Sequence, residues 1–338
     1  SPDFTRRCAL VKQVMLSLGK KDMMRQLEQA HEQFLNAVSS LVADWETAYH
    51  SMASAIGRLC SAIRSCEMDG VSRDYILTVI AEARAVHAES PFINRLQSWP
   101  RGYPGDFETI EYLCDAHVKA PPQTAALFLE HQALRTVAAQ QHRNKVAWQG
   151  ALVADAVKTR DRTRILSVAC GGSRDLRQIQ HLIANGNVSI VLNDLDAEAL
   201  ALSQESLGML QSGLSIVPGD IFHAIRQLSR QESFDLVIAG GLFDYLEDRQ
   251  LTWLLPKLIK MLARDGTLCF TNIGKGNPDR VWIEYCADWF IQERSEIEIQ
   301  RLMVESGLVQ HIEVQFCRDT TGLTILTKVK KKSNMPEN

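Results

Sequence analysis

Through about the first 160 residues, apolar side chains recur at three- and four-residue intervals; beyond that the rhythm changes. From Met23 to Leu41, the residues Leu27, Ala30, Phe34, Ala37, Val38 and Leu41 fall on one helical stripe. Asp44 to Cys66 repeats the pattern through Ala48, Met52, Ala55, Ile56, Leu59, Ala62 and Ile63. A third helix is expected from about Ser72 to Ala88, after the Asp69-Gly70 break and with Ser72 as its N-cap. Another runs from about Thr124 to Lys158, following Pro121-Pro122. No alternating segment precedes residue 160, so the first half predicts a small helical bundle in preference to a separate partner-binding coil.

After residue 160, strands are expected at Arg164–Val168, Ser189–Leu192, Ser215–Val217, Phe234–Ala239, Gly266–Asn272, His311–Cys317 and Leu323–Lys328. Helices fit between them near 173–185, 196–211, 220–230, 248–263 and 280–306. This alternation predicts an α/β fold: a mostly parallel seven-stranded sheet, covered on both faces and closing with an antiparallel hairpin. The expected division is an all-helical domain at 1–122, an α/β domain at 123–330 and a disordered tail at 331–338. Between the halves, Pro91 to Pro122 reads as a transition. Within it lies Trp99-Pro100-Arg101-Gly102-Tyr103-Pro104-Gly105-Asp106-Phe107. Pro104-Gly105 suits the centre of a type II turn, which would bring Tyr103 and Asp106 together at its ends.

Composition narrows the function. The 338 residues are 46 % apolar and 23 % charged, which excludes wholesale disorder, and the net charge of −3 offers no general grip on nucleic acid. No apolar run approaches the ~20 residues of a membrane span, and the opening residues lack a secretion-signal profile, so stable membrane insertion is not expected. Eight scattered cysteines, with no C-x-x-C and no Cys/His cluster at zinc spacing, suit reduced thiols in a cytoplasmic protein without a metal.

The chemistry concentrates at the ends of the expected strands. Ile165-Leu166-Ser167-Val168-Ala169-Cys170-Gly171-Gly172-Ser173-Arg174-Asp175 is a strand, a small-residue turn and a helix start. Such a turn lets a ligand approach the backbone. The second strand ends in Asn193-Asp194-Leu195-Asp196, with Asp194 23 residues after Gly171. That offset matches the ~20 residues at which nucleoside-binding folds place a ribose-binding carboxylate. Val217-Pro218-Gly219-Asp220-Ile221 ends the third strand, where a carboxylate can accept from an adenine amino group; Phe234 to Phe243 carries a fourth strand into the same cleft. A dinucleotide site fits poorly: Gly171-Gly172-Ser173-Arg174-Asp175 lacks the G-x-G-x-x-G spacing, and Asp175 would repel a diphosphate.

This ordered set resembles the class I S-adenosylmethionine-dependent methyltransferases over about residues 160–330. The resemblance implies a Rossmann-like core binding S-adenosyl-L-methionine and releasing S-adenosyl-L-homocysteine. Ala169, Cys170 and Gly171 would line the methionine part; Asp194, between Asn193 and Leu195, would bind the ribose. Gly219, Asp220 and Ile221 would flank the adenine, with Gly240, Gly241 and Phe243 beside the reactive methyl. The chain departs from the family where Ser167 replaces an acidic residue and Ala169 and Ser173 replace glycines. A looser resemblance spans about residues 90–330. It rests on Gly102-Tyr103-Pro104-Gly105-Asp106-Phe107, Arg143-Asn144, Asn277-Pro278-Asp279-Arg280, Glu284-Tyr285 and Asp288-Trp289. These look like a bacterial subfamily that includes synthases of 3-hydroxy fatty acid methyl ester signals. It implies methyl transfer to a small acid's oxygen under a helical lid.

Methyl transfer from a sulfonium is an in-line displacement, so the protein must chiefly align the acceptor and exclude water. A carboxylate acceptor needs no base but does need a cationic or amide donor, with Arg143, Asn272, Lys275 and Arg318 as candidates. Tyr103, Asp106 and Arg143 are the candidates for catalytic alignment. Trp282, Tyr285, Trp289 and Phe290 read first as core, with Tyr285 and Trp289 retained as acceptor contacts. An amine or phenol acceptor would need a base from among His223, Asp244, Tyr245, Asp106 and His142. Asp244-Tyr245 follows the fourth strand without the prolines of the DNA- and glutamine-directed subclass. The expected reading is a methyltransferase of a small-molecule acceptor, with a fatty or other organic acid leading. The alternatives are a small-amine N-methyltransferase and a non-catalytic protein retaining the fold. A macromolecular acceptor would call for a basic, aromatic-interleaved surface that the first half lacks. A homodimer is left open.

Overall fold

The computed structural model of the chain describes residues 2–41, 44–210 and 213–332, with side chains from Gly19 onward, Met209 excepted. Eight helices precede the first strand: α1 (Pro2–Ser39), α2 (Trp45–Met68), α3 (Arg73–Val79), α4 (Ala81–His87), α5 (Pro91–Ser98), α6 (Phe107–Asp115), α7 (Ala125–Ala133) and α8 (Val137–Thr159). Then follow β1 (Thr163–Val168), α9 (Arg174–Gln178), α10 (Gln180–Ala184), β2 (Val188–Asp194), α11 (Ala197–Ser206), β3 (Leu214–Pro218) and α12 (Ile221–Leu228). The remainder is β4 (Phe234–Ala239), α13 (Asp248–Lys260), β5 (Leu262–Ile273), α14 (Arg280–Tyr285), α15 (Glu296–Glu305), β6 (Ile312–Arg318) and β7 (Thr324–Lys331). Of the tail expected at 331–338, Lys331 ends β7 and 333–338 lie outside the described residues, as does Gln211 of the helix expected at 196–211. No helix among the described residues is long and apolar enough to cross a membrane.

Two compact units share the chain, and they interleave where the sequence alone suggests one division at residue 122. A helical unit takes the residues up to Pro104, Ala116–Thr136 and Pro278–Trp289; a sheet unit takes Gly105–Asp115, Val137–Asn277 and Phe290 onward.

In the sheet unit the strand order is β3-β2-β1-β4-β5-β7-β6. The first five strands are parallel, and β7 runs antiparallel to both β5 and β6. Successive residues of β1 point to opposite faces, and both sets are buried: Ile165 in one apolar cluster, Leu166 and Val168 in the other. A sheet covered on both faces is what unbroken apolar strands such as Ile190-Val191-Leu192 require. The chain order reverses between β1 and β4, so the connections leaving their carboxyl ends pass to opposite faces of the sheet, the switch point at which such sheets form a ligand crevice. The α/β expectation, its seven strands and its closing antiparallel hairpin are all present.

Several expected helices are divided. Ile80, at ψ 11°, separates α3 from α4, and Ser72 does cap α3, accepting from Tyr75 N at 3.3 Å. The helix expected over 124–158 breaks between α7 and α8, where the Thr136 hydroxyl donates to Ala133 O at 2.9 Å. The helix expected over 280–306 is two, α14 and α15; Ser295 begins the second with a capping box closed by Glu298. The transition contains two further helices. Ser90 caps α5 with Pro91 in its first turn, and Asp106 Oδ1 accepts from Thr109 N at 2.8 Å at the start of α6.

The helical unit closes around charges on its third segment. Glu67 of α2 accepts from Arg280 Nη2 at 2.5 Å and from the Tyr285 hydroxyl at 3.0 Å. Arg84 of α4 holds Asp288 at 2.5 Å, and Arg73 lies 4.3 Å over the Tyr285 ring. His87 is fully buried, stacks on Phe34, donates through Nδ1 to Ala83 O at 2.7 Å and accepts at Nε2 from Trp282 Nε1 at 3.2 Å. Those partners fit only the neutral ring, and burial pushes its pKa down to about 4. Below the ordinary imidazole range the unfolded chain gains a proton that the folded ring refuses. Stability is therefore complete above about pH 6.5 and falls by roughly 2–3 kcal/mol as pH approaches 4. Denaturant midpoints measured across this range should fall in the wild type and flatten in His87→Gln; an equal slope in both would exclude the histidine as the source.

Candidate functional site

The β1–α9 turn holds three residues in left-handed conformation: Ala169 at φ +49°, Gly171 at +53° and Ser173 at +50°. Two of these are the positions where the sequence departs from the family's glycines. The backbone that glycine favours is thus retained with a small side chain in its place. Hydrogen bonds fix it: Cys170 N donates to Asn193 O at 3.0 Å, and Gly171 N to Asp194 Oδ2 at 2.7 Å. The Ser203 hydroxyl lies 3.2 Å from Gly171 O and 3.0 Å from Ser173 Oγ. Burial raises the Cys170 thiol far above its ordinary pKa, so it is not a nucleophile at neutral pH. Burial also raises Asp175, in the first turn of α9, to about 6.

Helix α6 covers this turn. A Cβ on Gly171 would stand 3.4 Å from Phe107 Cβ; one on Gly172 would meet Leu202 Cδ2 at 3.0 Å and Glu111 Oε1 at 3.1 Å. Glu111 pairs with Arg174 at 2.6 Å and with Arg177, and Arg174 also reaches Asp115 at 2.8 Å. Arg143 of α8 donates to Leu113 O at 3.0 Å and to Gln140 Oε1 at 2.8 Å. Among the residues expected to align reactants, Arg143 thus anchors α6 and Asp106 caps it, while Tyr103 belongs to the helical unit.

At the tips of β2 and β3, Asn193 Nδ2 donates to Val217 O and Gly219 O, each at 2.9 Å, stitching the strands together. Asp194 Oδ1 accepts from Asp196 N at 2.9 Å. With its other oxygen on Gly171, this buried carboxylate still has lone pairs for two further donors. Burial raises its pKa, against the backbone N–H groups that favour its charged form. Gly219, at φ +114°, makes the close turn into α12, where Asp220 Oδ1 caps Phe222 N at 2.7 Å. Asp220 is exposed, Ile221 buried, and Leu195 stands 57 % exposed at the β2 tip. An exposed leucine beside two carboxylates with accepting capacity to spare fits an adenosine: apolar against the base, acidic against hydroxyls and the amino group. These residues therefore suit the expected donor.

The tips of β4 and β5 differ from expectation in what lies against them. A Cβ on Gly240 would come 2.6 Å from Gln149 Nε2, and one on Gly241 would come 3.2 Å from Lys145 Nζ. The two glycines make room for side chains of α8. Phe243 is core, tilted on Phe270 at 4.3 Å between centroids. Buried Asp244 accepts from Lys145 Nζ at 3.3 Å through Oδ2, and from Ile273 N at 2.7 Å and Asn272 Nδ2 at 3.4 Å through Oδ1. Burial raises its pKa, opposed chiefly by Lys145. Arg294 holds this loop by donating to Phe243 O at 2.7 Å and Leu246 O at 2.5 Å.

Of the expected acceptor contacts, only Asn272 lies in this cluster. Lys275 pairs with Glu298 at 2.6 Å and Arg318 with Glu296 at 2.6 Å. Tyr285 and Trp289 lie in the helical unit, where the Tyr285 hydroxyl donates to Glu67. Lys145 and Gln149 do not stand out in the sequence alone. Their i, i+4 spacing from Gln141 was a legible signal, but charged and amide residues on a helix normally mark a solvated face.

The left-handed Ala169 carries strain that glycine would release, less the greater freedom glycine has when unfolded. Ala169→Gly should stabilise the protein by about 0.5–1 kcal/mol, read as a higher denaturant midpoint. A lower midpoint would show that the alanine methyl is needed where it stands.

Residues 165–266, spanning β1 to the middle of β5, match the family model described as a methyltransferase domain. No curated protein matches the chain. Among solved structures, a possible exported protein from Bordetella parapertussis is similar over 94 % of this chain and 97 % of its own, at 16 % identity and a TM-score of 0.55. The CurJ carbon methyltransferase is similar over 98 % and 99 %, at 12 % identity and a TM-score of 0.50. At such identities both likenesses concern the fold. Residues 165–266 thus form a methyltransferase domain, and the strand tips around its switch point suit S-adenosylmethionine as the methyl donor.

Proposed function

We propose that the enzyme methylates a carboxyl oxygen of a small organic acid. The observation that carries this reading is the engagement of Asp244, the carboxylate nearest the β4 tip: both its oxygens are taken, by Lys145, Ile273 N and Asn272. It is no free base. Burial, with Lys145 and Arg143 nearby, holds His142 well below the usual imidazole range, so it has little affinity for a proton. His223 is exposed on α12, and Asp106 caps α6. An amine, largely protonated at neutral pH, would need a base; a carboxylate is already the nucleophile. The looser subfamily resemblance supports an acid of the fatty type.

S-adenosylmethionine supplies an electrophilic methyl on a positive sulfur. In the transfer an O–CH3 bond forms as the S–CH3 bond breaks, the bonding pair passes to sulfur, and no proton moves. In this reading Asp194 holds the ribose hydroxyls, and Asp220 with Leu195 and Ile221 holds the adenine. Ala169, Cys170 and Gly171 offer backbone to the methionine end. What remains for the chain is alignment, worth several orders of magnitude when reacting atoms are held in register.

The test is turnover of methyl-tritiated S-adenosylmethionine with straight-chain carboxylates from acetate to palmitate, each set against the amine of equal length. The expected product carries label that mild alkali releases as methanol, as an ester must. Alkali-stable label in the amines, or none in any acid, would overturn the reading.

A further inference from the structure

Helix α8 carries a buried polar stripe that neither folding nor donor binding explains. Gln141, Lys145 and Gln149 follow one another at i, i+4 and i+8, and all are buried, Lys145 retaining 4 % exposure. A helix face turned into a protein is normally apolar, because unpaired polar groups there forfeit their water. Gln141 is satisfied, donating to Ala138 O at 2.9 Å and accepting from the Thr324 hydroxyl at 2.6 Å. Lys145 is not. Its ammonium has three N–H groups and, among the described residues, one hydrogen bond, to Asp244 Oδ2 at 3.3 Å. Nearby, fully buried Asn272 donates to Asp244, but its Oδ1 has no hydrogen-bond partner. Spare donors and a spare acceptor therefore flank one carboxylate at the tips of β4 and β5. A pair serving only the fold would be closed, since buried polar groups are nearly always satisfied.

We propose that Lys145, held in place by Asp244, anchors the methyl acceptor: its unused N–H groups receive the acceptor's carboxylate at the tip of β4. The role rests on the carboxyl reading above and names the side chain that enforces it. Charge supports the choice. Lys145 and Asp244 cancel, and an acceptor carboxylate cancels the sulfonium of the donor. An ammonium acceptor would leave two uncompensated positive charges in the same confined space. Gly241 has the companion role of keeping the strand tip clear for the ammonium, 3.2 Å from where its Cβ would stand. Arg143, Lys275 and Arg318, the cations suggested by sequence, already have protein partners.

The experiment compares wild type, Lys145→Met, Lys145→Arg and the double variant Lys145→Met, Asp244→Leu. The double variant removes the whole pair, so no lone charge is left buried to unfold the protein. S-adenosylhomocysteine binding by calorimetry and the thermal midpoint report the donor site and the fold. KM and kcat are measured for the best acid of the carboxylate panel. The expected result is a KM raised about 10- to 100-fold in Lys145→Met and in the double variant. Lys145→Arg should recover part of that loss, with S-adenosylhomocysteine affinity unchanged throughout. An unchanged KM for the acid in either Met variant overturns the role of Lys145 and leaves carboxyl methylation standing. Turnover of amines, or of no acid, by the wild type overturns both.

Discussion

The site depends on one hydrogen bond, from the Gly171 amide to the Asp194 carboxylate at 2.7 Å. It joins the tips of β1 and β2, fixes the left-handed turn between β1 and α9, and holds a buried negative charge beside the crevice. The desolvation that this burial costs is offset in part by the amides of Gly171 and Asp196, which leave the carboxylate oriented and still able to accept. The left-handed residues at 169 and 173 follow from the same constraint. A turn compressed between α6 and the β2 tip has no room to relax, so alanine and serine adopt a backbone they would otherwise avoid.

The opposite wall is built on a different principle. There the strand tips are cut back to glycine so that Lys145 and Gln149 can enter, and a buried ion pair stands where an apolar contact would fold more easily. Breaking such a pair by removing one partner typically costs about 3–5 kcal/mol, whereas replacing both partners with apolar groups is often neutral. Stability therefore does not demand this arrangement, which makes recognition the more economical explanation. In the proposed reading the acidic and partly apolar tips of β2 and β3 receive an adenosine, and the polar cluster around Lys145 receives an anion.

Much of this could be read from the sequence, and the boundary between what could and could not is physical. The strands of the second half were legible because β2 and β4 contain unbroken apolar runs, Ile190–Leu192 and Leu236–Ala239, that only a sheet covered on both faces can bury. Asp194 and Asp220 were legible because their positions follow from chain order at the strand ends. Helix α6 was not, since Asp106 capping a short helix looks locally like the end of a Pro-Gly turn. Lys145 was missed for a subtler reason. An i, i+4 polar stripe has the same periodicity whether it faces water or a protein interior, and only the glycines at 240 and 241 reveal which. Lys275 and Arg318 had the right charge, but Glu298 and Glu296 on α15 were invisible as partners until β5, β6 and α15 were assembled.

The most direct measurement is a calorimetric titration of S-adenosylhomocysteine into the wild-type protein and into Asp194→Asn, with thermal midpoints recorded for both. The account predicts saturable one-to-one binding by the wild type and an affinity about tenfold or more weaker in the variant, which loses a charged acceptor while retaining its shape. No binding by the folded wild type, or equal binding by both proteins, would contradict it.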